Sequence, residues 1–352
     1  MSRTNRITSS EPRVIVVTGA SAGVGRAVVR AFANRYGKDL RIGLLARGRD
    51  GLDGAKKEVE EAGGQALVCV TDVAHYDQIE AAAEAVEKAF GPIDVWVNDA
   101  MVSMYSPFME MTPDEFRHIT EVTYLGYAYG TRVALKRMLP RDRGVVIQVS
   151  SALAHRSIPL QSGYCGAKHA IDGFTEALRC ELFHNKSHVH LAMVALPGVN
   201  TTQFSWTKNN MPNKPRPTGP IFQPEIAADA VVFASEHPRK EIWVGYPTAE
   251  AVVGEKVISP LLDHYLAHAA WEGAFLPERD DPNRPNNFWE PVPGDHGAHG
   301  PFDDKAHTHS PELWISKHRR GVLAALAGAG IGAAAYAAMK RSNGRTATAQ
   351  FQ

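Results

Sequence analysis

The sequence predicts an α/β fold in which a doubly wound parallel sheet is covered by helices on both faces. Three observations lead to this prediction. Short apolar runs alternate with helical patterns, a glycine-rich turn joins the first run to the first helix, and polar residues follow the later runs. Parallel strands are buried on both faces and therefore read as nearly continuous apolar segments, and their alternation with helices is typical of one α/β domain.

Seven apolar runs have the length and composition of buried strands. They lie at 14–17, 42–46, 66–70, 93–97, 145–149, 190–195 and 241–245. Apolar residues at helical spacing separate several of them. The helix over 52–62 is closed by Gly63 and Gly64, and the helix over 79–90 by Gly91 and Pro92. A last helix is predicted over 251–275.

Residues 18–25, Thr-Gly-Ala-Ser-Ala-Gly-Val-Gly, form the turn between the first strand and the first helix. Glycine permits a positive φ and close approach of the backbone, and the helix N-terminus offers N–H groups and a positive dipole end to a phosphate. The spacing Gly-xxx-Gly-x-Gly differs from the commoner Gly-x-Gly-x-x-Gly fingerprint. For this motif alone, a purely structural turn remains the alternative.

Tyr164 and Lys168 lie one helical turn apart, so a phenol and an ammonium are expected on the same helix face. A cation at that distance favours the phenolate and brings the tyrosine pKa towards a value useful for acid/base work. Ser151 ends the run 145–151, at the sheet edge where ligands bind in open α/β sheets. Its alternative role is a helix cap or turn. The three residues together predict a site of proton transfer.

With these motifs in this order, the chain resembles the short-chain dehydrogenase/reductase family over roughly residues 13–246. The resemblance implies a Rossmann fold and hydride transfer between a nicotinamide and a carbonyl or alcohol carbon. It implies that Ser151, Tyr164 and Lys168 are catalytic, with Lys168 also on the nicotinamide ribose. The residues expected to bind the cofactor are Gly19, Ser21, Gly23, Val24, Gly25, Arg47, Asp72, Val73, Asn98, Ala100, Tyr164, Lys168, Pro197, Gly198, Val199 and Thr201.

The chain departs from the family pattern at several of these positions. Asp99 and Met101 replace the usual Asn and Gly of the Asn-Asn-Ala-Gly segment, while Asn98 is expected to keep its role. Thr123 stands where the family has the asparagine that holds a water near the lysine, and we predict a retained but altered catalytic relay through its hydroxyl. Whether Thr201 or Thr202 contacts the carboxamide depends on a shift of one residue and stays open.

The cofactor preference is predicted from the end of the second strand. An acidic residue there would bind the ribose 2′-hydroxyl, whereas this chain has Ala46 followed by Arg47, whose forked donors suit a 2′-phosphate. NADP is therefore favoured over NAD. The alternative is that Arg47 only solvates a charged loop.

Composition narrows the class of protein. Lysine and arginine together balance aspartate and glutamate at 38 each, so no nucleic-acid partner is indicated. Three cysteines, Cys69, Cys165 and Cys180, form no paired framework and fit a reducing compartment. No metal site is expected, because the histidines after residue 290 lack an ordered ligand set and are read as loop residues.

The domain organisation is read as four parts: a polar arm at 1–12, one catalytic domain at 13–276, an extended linker rich in Pro and His at 277–316, and a tail at 317–352. Residues 321–339 carry no charge and are flanked by basic residues, so they are a candidate membrane anchor on a cytoplasmic domain, with a surface or oligomerising helix as the alternative.

The sequence as a whole predicts a membrane-associated, NADP-preferring oxidoreductase that acts on a lipophilic alcohol, aldehyde or ketone. Residues 203–222 are expected to be the substrate lid, with a disordered connector as the alternative, and the helix over 251–275 to pack on the core or line the substrate pocket. The resemblance implies a homodimer. The competing hypothesis is a non-catalytic dinucleotide sensor or scaffold at a membrane, which the departures Thr123, Asp99 and Met101 keep open.

Overall fold

The computed structural model describes residues 12–319, 321, 322, 324 and 325. Contacts divide the chain into one unit that ends at Ser310 and a second that begins at Pro311. In the second unit, residues 311–319 are helical. The first unit contains all the elements described below.

A seven-stranded parallel sheet forms the centre of the first unit. Its strands are β1 Arg13–Thr18, β2 Leu40–Ala46, β3 Gln65–Val70, β4 Val95–Asn98, β5 Val145–Ser151, β6 His190–Leu196 and β7 Glu241–Trp243. They lie side by side in the order β7-β6-β5-β4-β1-β2-β3. The order reverses between β1 and β4, and ligands bind at such a switch point, outside the carboxyl ends of the strands. The predicted doubly wound α/β fold is thus confirmed.

Nine α-helices connect or cover these strands in the described part of the first unit. They are α1 Gly23–Tyr36, α2 Arg49–Glu61, α3 Tyr76–Phe90, α4 Pro113–Ile119, α5 Gly126–Met138, α6 Ser162–His184, α7 Gln203–Trp206, α8 Pro224–Glu236 and α9 Tyr246–Gly273. A π-helical turn, Thr120–Leu125, joins α4 to α5. The predicted helix over 251–275 begins earlier, at Tyr246, and is kinked at Ile258, two residues before Pro260.

The segment predicted as a lid, 203–222, is ordered by short strand pairs. Lys208–Asn209 pairs with Met104–Tyr105, and Ile221–Phe222 pairs with Gly198–Val199. Asn213–Pro215 pairs with Phe275–Arg279, which follows α9. The alternative of a disordered connector is therefore wrong.

Residues 277–310 are not the extended linker that their composition predicts. Phe288 is fully buried, and Ala298 and Phe302 are nearly so. Hydrogen bonds tie the segment to α1, to Arg47 immediately after β2, and to the loop after β6. We call residues 287–303 the strap. The prediction failed because the partners of the strap lie far away in the sequence, so that no local pattern marks it as ordered.

No helix among the described residues is long and apolar enough to span a bilayer. The candidate anchor at 321–339 lies outside the described residues, apart from Gly321, Val322, Ala324 and Ala325. Membrane association through this segment stays a prediction.

Candidate active site

Two connected cavities lie at the carboxyl ends of the strands, beside the switch point between β1 and β4. The glycine-turn groove, of about 200 Å³, runs past residues 19–24, the end of β2 and Asp72. The tyrosine pocket, of about 340 Å³, contains Ser151, Tyr164 and Lys168. Both cavities share five lining residues: Val24, Asp99, Met101, Thr201 and Gln203.

The glycine turn is shaped by close contacts that exclude side chains. Gly19 and Gly23 have φ of 74° and 57°, which few residues other than glycine adopt readily. A Cβ on Gly25 would lie 2.2 Å from the carbonyl oxygen of Gly19. The turn therefore presents backbone rather than side chains to the groove at the start of α1, as a pyrophosphate-binding turn requires.

Ser151, Tyr164 and Lys168 meet in the tyrosine pocket, as predicted. Ser151 is the last residue of β5, and its hydroxyl oxygen accepts the N–H of Leu153 at 3.1 Å. The same hydroxyl is hydrogen-bonded to Tyr164. Nζ of Lys168 lies 5.6 Å from the centroid of the Tyr164 ring. A carbonyl oxygen in this pocket would lie near both a hydroxyl and a phenol.

The pKa of Tyr164 shifts in the opposite direction to the expectation. Burial raises the pKa of Tyr164 above its ordinary value, and the hydrogen bond from Ser151 only partly offsets this. The ammonium of Lys168 donates elsewhere, to the carbonyl of Val149 at 2.7 Å and to Oη of Tyr127 at 3.1 Å. The shift keeps the proton on Tyr164 at neutral pH and makes the phenol a weaker acid than an exposed tyrosine.

Two residues that the family pattern does not assign lie around Lys168. The ring of Tyr127 has Nζ of Lys168 at 4.7 Å from its centroid. Burial raises the pKa of Asp99, and the positive charge of Lys168 partly offsets this rise. Burial lowers the pKa of Lys168, and the negative charge of Asp99 partly offsets this fall. Asp99 also accepts the backbone N–H of Gly25. Sequence reasoning noted Asp99 as a departure but missed its electrostatic interaction with the lysine.

Thr123 does not have the predicted place in a relay. Its hydroxyl donates to the carbonyl of Val102 at 2.9 Å and accepts the N–H of the same residue at 3.1 Å. Thr123 is fully buried and lines neither cavity. Because its only hydroxyl proton is already donated, it holds the loop after β4 rather than a water beside Lys168.

Asn98 is likewise a structural residue in this protein. Its side chain accepts from Trp96 Nε1 at 2.8 Å and donates to Oε1 of Gln148 at 2.8 Å and Oγ1 of Thr131 at 3.1 Å. It lines neither cavity and fastens β4 to β5 and α5, and cofactor binding by Asn98 stays a prediction.

Arg47 reaches the groove, but its guanidinium is already bound. Nη2 donates to the carbonyl of Asn287 and Nη1 to that of Trp289, each at 2.6 Å. Burial lowers the pKa of Arg47, because it removes water from the guanidinium. The two carbonyl oxygens replace part of that lost hydration and so stabilise the cation. The expectation that Arg47 is free for a 2′-phosphate must be revised, because the strap holds two of its nitrogens.

The other predicted cofactor residues fall into three groups. Those that line the glycine-turn groove are Gly19, Ser21, Gly23, Val24, Asp72, Val73, Ala100 and Thr201, together with Thr202. Those that line the tyrosine pocket are Tyr164, Lys168, Pro197, Gly198, Val199 and again Val24 and Thr201. Gly25 lines neither cavity and serves the close contact with Gly19 described above.

The tyrosine pocket is closed by the predicted lid and by α9. The lid contributes Gln203, Phe204, Pro217 and Thr218. From α9 come Pro247, Glu250, Ala251, Leu262 and Leu266. The helix was expected either to pack on the core or to line the substrate pocket. In the structure, α9 lines the pocket.

One cluster beside the pocket has the residue types of a metal site. His155, Asp172 and Glu241 bring their ligand atoms within 4.8 Å of one another. Nε2 of His155 lies 2.8 Å from Glu241, a hydrogen bond that raises the pKa of His155. The hydroxyl of Ser150 donates to Asp172 at 2.7 Å. Among the described residues, Oδ2 of Asp172 has no hydrogen-bond partner, and it lies 3.6 Å from Nε2 of His155.

Comparison with known proteins agrees with this geometry. Residues 13–213 match the family model described as short chain dehydrogenase. Among curated proteins, the chain is 28% identical over 331 residues to an uncharacterized oxidoreductase, YxnA, of Bacillus subtilis, covering 94% of this chain and 91% of that protein. It is 31% identical to 3-dehydrosphinganine reductase of Danio rerio, over 62% of this chain and 67% of that protein.

A solved structure of a metagenomic short-chain oxidoreductase in complex with NADP superposes with a TM-score of 0.57 at 27% identity, covering 67% of this chain and 98% of that one. The fold and the site define a Rossmann-type oxidoreductase. The chain belongs to the short-chain dehydrogenase family.

Proposed function

We propose that this protein is an NADP-preferring oxidoreductase that transfers hydride between the nicotinamide and a carbonyl or alcohol carbon of a lipophilic small molecule, with Tyr164 as the general acid or base. One observation carries the proposal: the glycine-turn groove and the tyrosine pocket share lining residues. A dinucleotide laid along the groove from Asp72 past the glycine turn would bring its far end beside Tyr164.

The cofactor would supply the hydride, and the chain supplies position and a proton. In reduction, Tyr164 donates its phenolic proton to the carbonyl oxygen. Ser151 donates a hydrogen bond to the same oxygen as negative charge develops there. The ammonium of Lys168, fixed by Val149 and Tyr127, stabilises the phenolate that forms. Burial keeps Tyr164 protonated at neutral pH but, by raising its pKa, weakens it as an acid, so the charge of Lys168 beside the forming phenolate has to compensate.

The preference for NADP rests on charge at the end of β2. Ala46 and Arg47 line the groove there, and Ala46 stands where a carboxylate would favour NAD. The positive charge of Arg47 favours a phosphate even though its donors hold the strap. The relative solved with NADP is consistent with this choice.

The substrate class is inferred from the lining of the tyrosine pocket. Tyr105, Ile158, Phe204, Leu262 and Leu266 surround the three catalytic residues. Such a lining favours an aliphatic or aromatic substrate over a highly polar one. The relative named as a 3-dehydrosphinganine reductase supports reduction of a ketone on a lipophilic molecule. A homodimer and membrane association through residues 321–339 remain part of the proposal.

The test is turnover by the full chain with NADPH or NADH and a series of aldehydes and ketones of increasing chain length. We expect faster turnover with NADPH and a KM that falls as the chain lengthens. Tyr164→Phe is expected to lower kcat about 10²- to 10⁴-fold, because it removes the proton donor. Dinucleotide binding, followed by the fluorescence of NADPH, should remain within about twofold of the wild type.

Ser162→Ala is a matched control, since Ser162 begins the same helix and lines neither cavity. Tight binding of a dinucleotide without any turnover would favour the sensor hypothesis. An absence of dinucleotide binding would contradict both hypotheses.

A further inference from the structure

We propose that the strap, residues 287–303, is the outer wall of the dinucleotide site, where it contacts the bound dinucleotide and slows its release, and that Arg47 acts chiefly as its anchor. This inference rests on the proposed dinucleotide-binding function. It assigns cofactor contacts to a segment outside the part of the chain that matches the family model, which ends at residue 213.

The strap faces the glycine turn across the groove. Asn287, Pro291, Val292, Gly294 and His296 line the groove together with the residues of the turn. The ring of His296 packs edge-on against Trp206 of the lid at 4.7 Å between centroids. A dinucleotide in the groove would therefore have the sheet edge on one side and the strap on the other.

The first anchor lies at the end of β2, on the side of the groove near Asp72. Arg47 donates to the main-chain carbonyls of Asn287 and Trp289. The side chain of Phe288, between them, is fully buried in the core, and its carbonyl lies 2.8 Å from Nε2 of His118. Because the carbonyls of Asn287, Phe288 and Trp289 accept these hydrogen bonds, the bonds hold the backbone of the strap in place and not only one side chain.

The second anchor lies at the glycine turn itself. Arg26, on α1, is 1% exposed and pairs with Asp295 at 3.1 Å and with Glu58 at 2.7 Å. The backbone N–H of Gly23, the first residue of α1, donates to the carbonyl of Gly297 at 3.0 Å. The strap thus touches the turn that would hold the pyrophosphate.

The third anchor lies after β6, on the side nearer Tyr164. Oδ1 of Asn200 accepts the N–H of Phe302 at 3.0 Å, and Nδ2 of Asn200 donates to Asp303 at 2.8 Å. A Cβ on Gly300 would lie 2.2 Å from the carbonyl oxygen of Thr201, so the strap lies directly on the loop after β6.

These anchors lie on both sides of the groove and at its middle, so the strap crosses it. A dinucleotide held beneath such a wall would leave only after part of the wall detaches or by sliding out along the groove. Weakening the anchors is therefore expected to raise the dissociation rate more than it lowers the association rate. Because the strap would contact parts common to both dinucleotides, loss of its anchors should speed the release of NADH as well as that of NADPH.

The experiment uses the double variant Arg47→Ala/Asp295→Ala in the full chain. Asp295→Ala leaves Arg26 paired with Glu58, and both substitutions leave the buried side chain of Phe288 in place, although Arg47→Ala also removes a 3.5 Å hydrogen bond to the Phe288 carbonyl. Dissociation of NADH and of NADPH is followed by stopped-flow fluorescence during displacement by the oxidised dinucleotide. We expect the dissociation rate of NADH to rise about tenfold and that of NADPH by at least as much, since Arg47→Ala also removes the charge that favours the phosphate. The melting temperature of each variant reports whether the fold is retained.

Arg49→Ala/Asp304→Ala is the matched control. Arg49 pairs with Asp53 on α2, Asp304 is exposed, and neither lines the groove. The control should leave both rates within about twofold of the wild type. A rise for NADPH alone would make Arg47 a phosphate ligand and overturn the strap proposal, as would unchanged rates for both. A wild type that binds neither dinucleotide would instead overturn the proposed function, on which the strap proposal depends.

Discussion

The glycine-turn groove and the tyrosine pocket are the two halves of one cleft. The C-terminal part of the first unit forms one wall of each half, and these two walls are held in different ways. The strap covers the glycine-turn groove, whereas α9 lines the tyrosine pocket. Phe288, Ala298 and Phe302 bury the strap against the domain. Of the 28 residues of α9, by contrast, three are buried. Its Val257 and Leu261 are 72% and 68% exposed.

The arginines that anchor the two walls also hold them in different ways, with the strap again the more firmly held. Arg47 holds the strap through neutral main-chain carbonyls, and in the Arg26–Asp295 ion pair, which also anchors the strap, the arginine side chain is 2% exposed. Arg156 holds α9 through the carboxylates of Glu255 and Asp263, each at 2.6 Å, and the side chain of Asp263 is 70% exposed. Exposed ion pairs contribute little and are screened by salt. We infer a fixed wall around a cofactor of constant shape and a more adaptable wall around the substrate.

The largest effect that tests this contrast is expected from Phe288→Ala. Removing a fully buried phenylalanine should lower the free energy of unfolding by about 3–5 kcal/mol, because it leaves a cavity beneath the strap. Leu261→Ala, the corresponding deletion on α9, should change it by less than about 0.5 kcal/mol. Urea unfolding of both variants and the wild type measures the difference. Equal losses would show that the two walls are packed alike.

The core of the fold was predictable from the sequence because its signals are local. Each of the seven strands is a short apolar run, and Tyr164 and Lys168 share one helix at a fixed spacing. The helix α6 and the end of β5 then suffice to bring Ser151 to them. Such features depend on neighbours in the chain, so periodicity and spacing reveal them.

The strap was not predictable in this way. Its contacts join residues 240 and 269 positions apart, Arg47 with Asn287 and Arg26 with Asp295. Its Pro, Asp and His content is also that of a solvated linker. The only local signal was the pair Phe288 and Trp289 inside a polar segment, which solvation alone would not favour.

Thr123 and Asn98 show a second limit. The family pattern locates a position in the sequence, but the partners of a side chain depend on the surrounding geometry. Thr123 lies in the π-helical turn Thr120–Leu125, whose extra residue changes which side chains share a face with the following helix. Tyr127, rather than Thr123, then reaches Lys168.

Asp99 lines both the glycine-turn groove and the tyrosine pocket. Measuring how Asp99 titrates tests whether its charge acts on both halves of the cleft. Because burial raises the pKa of Asp99, its ionised form is penalised in the folded state. Wild-type stability should therefore fall, relative to Asp99→Asn, as pH rises from about 4, the ordinary aspartate pKa, towards the raised value. A tenfold difference in proton affinity between the folded and unfolded states corresponds to about 1.4 kcal/mol of stability.

Thermal unfolding of the wild type and Asp99→Asn, from about pH 4 to pH 7, measures this difference. The Asn variant should gain stability over the wild type progressively with pH, and the two should converge near pH 4. A gap that stays constant would mean that Asp99 titrates normally. Asp99 would then line both halves of the cleft, but its charge would not be perturbed by that environment.

The smallest expected effect concerns the anchor of α9. Arg156→Gln removes both ion pairs, so α9 should close the tyrosine pocket less often, and the KM for a carbonyl substrate should rise about fivefold, equivalent to about 1 kcal/mol. The dissociation rate of NADPH should not change, because the strap is untouched. Raising ionic strength should raise the wild-type KM in the same direction and leave that of the variant unaffected. If Arg156→Gln released the dinucleotide faster as well, the two walls would act as one cover, and the contrast between a fixed and an adaptable wall would have to be abandoned.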